Sequence, residues 1–335
     1  MIRIKLSTNF PEWPLIRQTP GRAGVWGNCR FFINEPVEEC DYWVIYDDVV
    51  LPETTHCAPE NTLLITSEPA SVKTYPGRFT AQFAHVLTSQ CGIKHAGAML
   101  RQQALPWMIG CRYIKETGDW SEIYTKDYDE LAVLTTGPKT KLLSVISSDK
   151  AMTEGHRQRL DFMRRLQEHF GERIDVFGRG LRPFEDKWDV LAPYKYHVTL
   201  ENSAFPDYWT EKLSDTLLAG TYPFYSGCPN IGDYFGDAVL TRLDISDAPG
   251  ALQAIERGMA EDRFEATVAA RREAAQRLLD EYSLFPTLEK IILDTRRDAP
   301  ARPLRIRPRS AFSGTLPARI TGRVHRLLGR SGGRS

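Results

Sequence analysis

The chain has 335 residues, of which 42% are hydrophobic and 26% charged, and its basic and acidic side chains are equal in number. This length predicts about two domains, and the composition is that of an ordinary globular protein. A net charge of zero provides no overall attraction to nucleic acid.

The sequence lacks the features that indicate a membrane-spanning, secreted, disulfide-bonded or metal-binding protein. It has no run of eighteen apolar residues, and its N-terminus "MIRIKLSTNFPEW" reads as a strand rather than a signal peptide. The six cysteines form no CxxC pair, and the seven histidines form no HExxH motif. We therefore expect reduced thiols, no metal site and a cytoplasmic protein.

The first half of the chain predicts a parallel α/β layer. Short apolar runs at 2–6, 41–49, 62–69 and 84–90 are each bounded by Pro, Asn, Asp or Gly, which is typical of buried strands. A Gly/Pro/Thr-rich segment at 134–141 has the composition of a linker. The predicted first domain is therefore 1–138.

The second half repeats the pattern. Strands are predicted at 141–148, 174–178, 195–201 and 221–227, with helices at 155–170 and 210–220 and further helical patterns over 252–293. This order predicts a second Rossmann-like domain over 139–295. In such open sheets ligands bind at the carboxyl ends of the strands, beside helix N-termini.

One stretch, "ENSAFPDYWTEKLSDTLLAG" (201–220), concentrates polar groups where a strand passes into a helix. Thr210 is a suitable N-cap and Gly220 a suitable C-terminal stop. Lys212 then lies in the first helical turn, which is unfavourable for a cation unless an anion is bound there. A capped helix with a solvated Glu211–Lys212 pair is the alternative interpretation.

The longer segment "YKYHVTLENSAFPDYWTEKLSDTLLAGTYPFYSGCPNIGDYF" (194–235) resembles the signature of the α-1,3-fucosyltransferases, glycosyltransferase family 10. Weaker similarity extends to "RQRLDFMRRL" and "DVFGRG", and residues 63–90 resemble the bacterial members of the family, which implies a bacterial-type member. The resemblance implies a GT-B fold, in which two Rossmann-like α/β domains face a central cleft. It also implies an inverting enzyme that holds GDP-fucose mainly in the C-terminal domain and requires no metal.

The resemblance also implies roles for individual residues. Lys212 would contact the diphosphate, and so would Arg159, with Arg157 as a competing assignment. The remaining donor-binding candidates are Glu201, Asn202, Tyr208 and Glu211, of which Glu211 would bind sugar hydroxyls.

An inverting transfer needs a base for the acceptor hydroxyl. The family uses a glutamate of the N-terminal domain, and in "ITSEP" Glu68 stands at the end of a predicted strand. Asp47 and Asp48, also at a strand end, are the other candidates. A Glu68 that only caps a turn is the structural alternative.

The last forty residues, 296–335, are strongly basic, with eleven arginines and one acidic residue, Asp298. Within them 318–330 has the pattern of an amphipathic basic helix, which favours peripheral attachment to an anionic membrane. A disordered tail is the alternative, and nothing else in the chain favours nucleic acid.

Together these observations predict a fucosyltransferase that uses GDP-fucose and a glycan acceptor of a surface polysaccharide or lipopolysaccharide. Two rivals stay open: the same fold with another GDP-sugar, and an inactive module that binds a nucleotide or a glycan.

Overall fold

A computed structural model describes residues 1–114, 119–133, 137–147, 154–178 and 181–312. The basic helix predicted at 318–330 lies outside the described residues. No helix of the described chain is long and apolar enough to cross a membrane.

The strands, in chain order, are β1 (Ile2–Thr8), β2 (Val25–Trp26), β3 (Cys29–Ile33), β4 (Tyr42–Tyr46), β5 (Glu53–Cys57), β6 (Thr62–Ile65), β7 (His85–Thr88), β8 (Ala98–Leu100), β9 (Cys111–Ile114), β10 (Asp119–Tyr124), β11 (Lys141–Ile146), β12 (Ile174–Phe177), β13 (Tyr194–Leu200), β14 (Tyr222–Ser226), β15 (Thr241–Arg242) and β16 (Arg302–Ile306).

The α-helices are α1 (Gly77–Thr80), α2 (Tyr128–Ala132), α3 (Glu154–Phe170), α4 (Lys187–Leu191), α5 (Glu211–Leu218), α6 (Gly232–Phe235), α7 (Ala248–Ala260), α8 (Arg263–Ala266), α9 (Val268–Arg277) and α10 (Leu284–Thr295). A π-helical turn, Leu278–Tyr282, lies between α9 and α10.

The first domain is built on a seven-stranded sheet of order β2-β3-β1-β4-β6-β7-β8, parallel except for the β2–β3 pair. Its strands β4 and β6 are buried along their whole length, because both faces of a parallel sheet are covered. In register, Thr8, Tyr46 and Ile65 are neighbours at the carboxyl ends of β1, β4 and β6. The loops that follow these three strands therefore leave one edge of the sheet side by side.

The second domain has a five-stranded parallel sheet of order β12-β11-β13-β14-β15. Helices α3 and α7 pack on one face, and α5 and α9 belong to the core on the other. The strands expected at 141–148, 174–178, 195–201 and 221–227 are present. Helix α4, which the sequence interpretation did not include, separates β12 from β13.

The end of the described chain returns to the first domain. Leu284, Leu288 and Ile291 of α10 are fully buried in the core that includes β1 and β4. Strand β16 pairs antiparallel with β5. The boundary expected at 295 therefore needs correction: α10 packs with the first domain, and the start of the predicted tail is a strand of that domain.

Buried polar groups fix the segment that connects the two domains. Asp215 of α5, completely buried, accepts hydrogen bonds from the backbone N–H groups of Met108 (2.8 Å) and Ile109 (2.9 Å). From the first domain, the buried Arg17 donates to the carbonyl oxygens of Ile109 (3.0 Å) and Trp107 (3.2 Å). The same short stretch is thus held by both domains, because buried backbone groups require partners.

Candidate functional site

The first turn of α5 is fixed by a buried carboxylate. Thr210 is the N-cap, and its hydroxyl accepts from the backbone N–H of Lys212 at 3.3 Å. The Thr210 backbone N–H donates to Glu201 Oε1 at 2.8 Å, and its hydroxyl donates to Glu201 Oε2 at 2.8 Å. The Glu201 side chain is fully buried, so β13 and the start of α5 are bonded directly to one another. The predicted N-cap at Thr210 is confirmed, and Gly220 adopts the left-handed φ of 64° expected of a helix stop.

Charged side chains gather around this turn. Lys212 Nζ lies 3.3 Å from Glu211 Oε1 and 3.5 Å from Glu201 Oε2. Glu211 Oε1 is also 3.6 Å from Lys187 Nζ. Burial tends to raise the pKa of Glu211, but Lys212 and Lys187 outweigh it and lower the pKa to about 2. Burial opposes the charge of Lys212, yet Glu211 and Glu201 raise its pKa above the usual value. Both side chains are therefore ionised across the physiological range.

A cavity of about 750 Å³ opens beside this cluster, at the carboxyl ends of β11, β12 and β13. Its charged lining consists of Arg159, Lys187, Glu211, Lys212 and Asp215. The rest is mostly apolar and is formed by Trp120, Ile146, Leu181, Pro183, Phe184, Leu191 and Leu200. The arrangement matches the ligand position in open α/β sheets, with cations, a helix N-terminus and apolar side chains in the lining of one cavity.

The structure separates the two competing arginines of α3. Arg159 is buried and lines the cavity, whereas Arg157 is exposed and is absent from the cavity lining. Arg159 donates to the Leu200 carbonyl at 3.4 Å, and its Nε has no hydrogen-bond partner among the described residues. Burial lowers the pKa of Arg159, although it stays a cation because arginine is effectively always protonated. The guanidinium therefore retains donors for an anion in the cavity.

The other predicted donor-binding residues, Glu201, Asn202 and Tyr208, do not line this cavity. Asn202 Oδ1 accepts from the hydroxyl of the buried Tyr208 at 2.6 Å, and Tyr208 stacks on Phe205. Glu201 and Asn202 line a separate cavity of about 430 Å³, while Tyr208 lines neither cavity. Their polar atoms support the loop that precedes α5, and their direct contact with a donor stays a prediction.

The facing side of the cleft carries Glu68, in the loop after β6. Asp47 holds this loop: its buried carboxylate accepts from Ser67 Oγ (2.8 Å), Lys73 Nζ (2.7 Å) and Tyr75 Oη (2.5 Å). The carboxylate of Asp48 accepts from the backbone N–H groups of Val49 and Arg309. Both alternative bases are thus engaged in structural contacts, whereas no hydrogen bond to the Glu68 carboxylate is found among the described residues.

Glu68 faces the cluster on α5. In the same loop, Ser71 Oγ lies 3.2 Å from Ser203 Oγ of the second domain, so the loops of the two domains meet. Burial raises the pKa of Glu68, and the nearby Glu211 raises it further, against the opposing effect of Lys212. A half-buried carboxyl with a raised pKa, located in a cleft, has the properties of a general acid or base.

Among the cavity residues that sequence reasoning did not identify are Lys187 and His197. Lys187 is in the first turn of α4, directly after the N-cap Asp186, and a lysine soon after a capping residue, as in Thr210–Lys212, was the available signal. His197 is a buried strand residue whose Nδ1 lies 2.8 Å from Ser144 Oγ, and burial followed by the charge of Lys187 lowers its pKa to about 3. Nothing in the sequence indicated that its ring would border the cavity.

Two Rossmann-like domains that face a cleft, with a C-terminal helix that returns to the first domain, define the GT-B fold of glycosyltransferases. Residues 136–234 match the family model described as glycosyltransferase family 10 (fucosyltransferase) C-term. The match covers the second domain and agrees with the resemblance seen in the sequence.

Individual relatives match short stretches. The alpha-(1,3)-fucosyltransferase B of Drosophila melanogaster is 46% identical over 92 residues, and the human 4-galactosyl-N-acetylglucosaminide 3-alpha-L-fucosyltransferase FUT6 is 35% identical over 79 residues. Each match covers 23% of this chain and about a fifth of the relative's length, 20% and 21% respectively. A solved structure of an alpha1,3-fucosyltransferase with GDP-fucose aligns over 89% of this chain and 91% of its own, with 13% identity and a TM-score of 0.49.

Loss of the Thr210 cap should destabilise the second domain. We expect Thr210→Val to lower the free energy of unfolding by about 1–3 kcal/mol, because it removes the helix cap and leaves the buried Glu201 short of a donor. Thr210→Ser keeps the hydroxyl and is the matched control. Urea unfolding of both variants measures the effect, and equal stability of Thr210→Val and wild type would contradict the role given to this bond.

Proposed function

We propose that the protein is an inverting fucosyltransferase that moves fucose from GDP-fucose to a hydroxyl of a glycan acceptor. Its acceptor would be a unit of a surface polysaccharide or lipopolysaccharide, and the linkage α-1,3. The observation that carries the proposal is the place of Lys212: within the family-matched segment it stands at the N-terminus of α5, beside Arg159, at a cavity of nucleotide size.

The cavity offers each part of a nucleotide diphosphate a suitable environment. The apolar lining around Phe184 and Leu181 suits the flat guanine ring. The diphosphate would take hydrogen bonds from Arg159 and Lys212, and the dipole of α5 adds favourable potential there. The terminal sugar then extends toward the cleft, where Glu68 stands on the other domain.

The transfer step follows from this arrangement. Glu68 takes the proton of the acceptor hydroxyl as that oxygen forms a bond to the anomeric carbon. The bond from this carbon to the β-phosphate oxygen breaks, and GDP leaves with the electron pair. Arg159 and Lys212 stabilise the developing charge. A single displacement of this kind, in which the hydroxyl attacks the anomeric carbon opposite the departing phosphate, inverts the anomeric configuration.

We propose that the reaction needs no metal, since cationic side chains occupy the place at which a metal would otherwise neutralise the diphosphate. Among the described residues no group of three or more His, Cys, Asp or Glu side chains is arranged to hold an ion. Activity that is unchanged by EDTA is the corresponding expectation. Attachment to an anionic membrane through the basic tail also remains part of the proposal.

The donor assignment is tested by release of GDP or UDP from GDP-fucose, GDP-mannose and UDP-galactose, with a panel of galactose- and N-acetylglucosamine-terminated acceptors. We expect turnover with GDP-fucose. For Lys212→Met and Arg159→Met, the Kd of GDP should rise by about ten- to a hundredfold, because each variant loses a charge-assisted hydrogen bond. Calorimetric titration measures this change.

Arg165→Met is the matched control, since Arg165 is an exposed residue on the same helix. Arg157→Met decides between the two arginines, and a loss of GDP affinity confined to it would contradict the assignment of Arg159. Turnover with another GDP-sugar alone would exclude fucose as the donor. Tight GDP binding without turnover of any donor would favour an inactive binding module.

The role of Glu68 as the base can be tested by its effect on kcat and on the pH dependence of kcat/KM. We expect Glu68→Gln to lower kcat by about 10²–10⁴-fold, with the Kd of GDP unchanged. Because Glu68 must be ionised to accept a proton and its pKa is raised, kcat/KM should fall on acidification at a pH above the ordinary glutamate pKa of about 4.3. Asp48→Asn is the control, with activity retained. A pH profile that is identical in wild type and Glu68→Gln would show that another group is the base.

A further inference from the structure

An aromatic pair stands in the loop after β1. In "NFPEWP" (9–14) the backbone N–H of Trp13 donates to the Phe10 carbonyl at 3.2 Å, which closes a tight turn. Pro11 and Pro14 restrict the backbone on either side. The turn brings the two rings together, with 4.1 Å between centroids and 12° between planes. Both rings are only half-buried, so the pair is a rigid, partly open aromatic surface, here called the Phe10–Trp13 platform.

The platform rests on Tyr46, the last residue of β4. The Tyr46 ring centroid lies 6.4 Å from that of Phe10 and 6.1 Å from that of Trp13. Tyr46 is buried, and it pairs in register with Thr8 on one side and Ile65 on the other. Neighbouring strands are about 4.8 Å apart, so the loops after β1 and β6 are separated by roughly 10 Å where they leave the sheet. The second of these loops carries Glu68.

The pKa of the Tyr46 hydroxyl responds to charged groups of both domains. Burial raises the pKa of Tyr46, and carboxylates from both domains, Glu68 and Glu211, add to the rise. The loop of the platform and the loop of Glu68 leave the same edge of the sheet, so the platform lies on the side of the domain that carries the predicted base. Beside it, Asn9 Oδ1 is buried and has no hydrogen-bond partner among the described residues. An orphaned buried acceptor of this kind calls for a donor that the described chain does not supply.

We propose that the Phe10–Trp13 platform is the subsite for the acceptor sugar, a pyranose that lays its C–H face on the rings and directs a hydroxyl toward Glu68. A pyranose suits the place because it has an apolar face for the aromatic surface and hydroxyl donors at its rim, one of which can satisfy Asn9. An aliphatic group would fill the surface without supplying these donors. The proposal rests on the proposed function for the role of Glu68, but the binding of a sugar here is testable without turnover.

The platform accounts for a requirement of the transfer step. A hydroxyl attacks efficiently only when it is held at near-attack distance from the anomeric carbon. Since the turn is restrained by two prolines, its rings need little ordering when a sugar binds, which favours affinity. The platform thus orients the acceptor, while Glu68 takes the proton.

The test measures saccharide binding in the presence of saturating GDP, without a donor. Saturation-transfer NMR and calorimetry are applied to wild type, Trp13→Ala, Phe10→Ala and Trp13→Phe, with methyl glycosides and disaccharides terminated by β-galactose, β-N-acetylglucosamine or α-mannose. We expect at least one sugar to bind wild type through one C–H face. Its Kd should rise by roughly tenfold or more in Trp13→Ala and recover substantially in Trp13→Phe.

The control is Trp26→Ala, which removes another half-buried tryptophan of the same domain, one that packs on Tyr128 and does not contact the platform rings. It should leave sugar affinity unchanged, and GDP affinity should be equal in all variants, which shows that they are folded. Sugar binding that is insensitive to both platform variants would overturn the proposal, as would the absence of binding by every sugar of the panel. Sugar binding lost with the platform but no turnover of any donor would instead contradict the proposed function alone.

Discussion

The bonds between the buried carboxylate of Glu201 and Thr210 determine the geometry of the donor side. They fix the first turn of α5 to the end of β13, and this turn carries Glu211 and Lys212. One helical turn later, Asp215 lies on the same face and binds both Lys187 and the segment between the domains. Polar contacts therefore extend from the cavity to the segment between the domains. The relative position of the two domains depends on this segment.

Stability alone would not favour such a buried cluster of charged side chains. Burial of charges is offset by pairing, but such networks seldom stabilise a fold more than apolar packing would. Most of the charges here are paired with one another. Arg159 differs, because within the described chain no carboxylate lies at ion-pair distance from it and its Nε has no partner. A bound diphosphate would supply the missing acceptors. Donor binding would then explain why an unpaired guanidinium is buried here.

Local signals in the sequence were sufficient for part of this account. The cap at Thr210, the stop at Gly220 and the position of Glu68 after a strand depend on neighbouring residues and were predicted correctly. Whether Arg157 or Arg159 faces the cavity depends on the rotation of α3, which the sequence pattern fixed only loosely. His197 reaches the cavity through the pairing of strands distant in sequence, and no local pattern reports such a contact.

The domain boundary shows the same limit. The helical patterns predicted over 252–293 include most of α10, but a helical pattern does not reveal which sheet the helix covers. In the structure this helix crosses to the first domain, and β16 follows it there although its sequence is rich in arginine. Long-range packing, rather than the composition of the local sequence, determines that both α10 and β16 belong to the first domain.

The most direct test of the account is a crystal structure of the protein with GDP. We expect guanine among the apolar residues of the 750 Å³ cavity, and diphosphate oxygens within hydrogen-bond distance of both Arg159 and Lys212, at the N-terminus of α5. GDP bound in the 430 Å³ cavity, or a diphosphate out of reach of both side chains, would contradict the central claim.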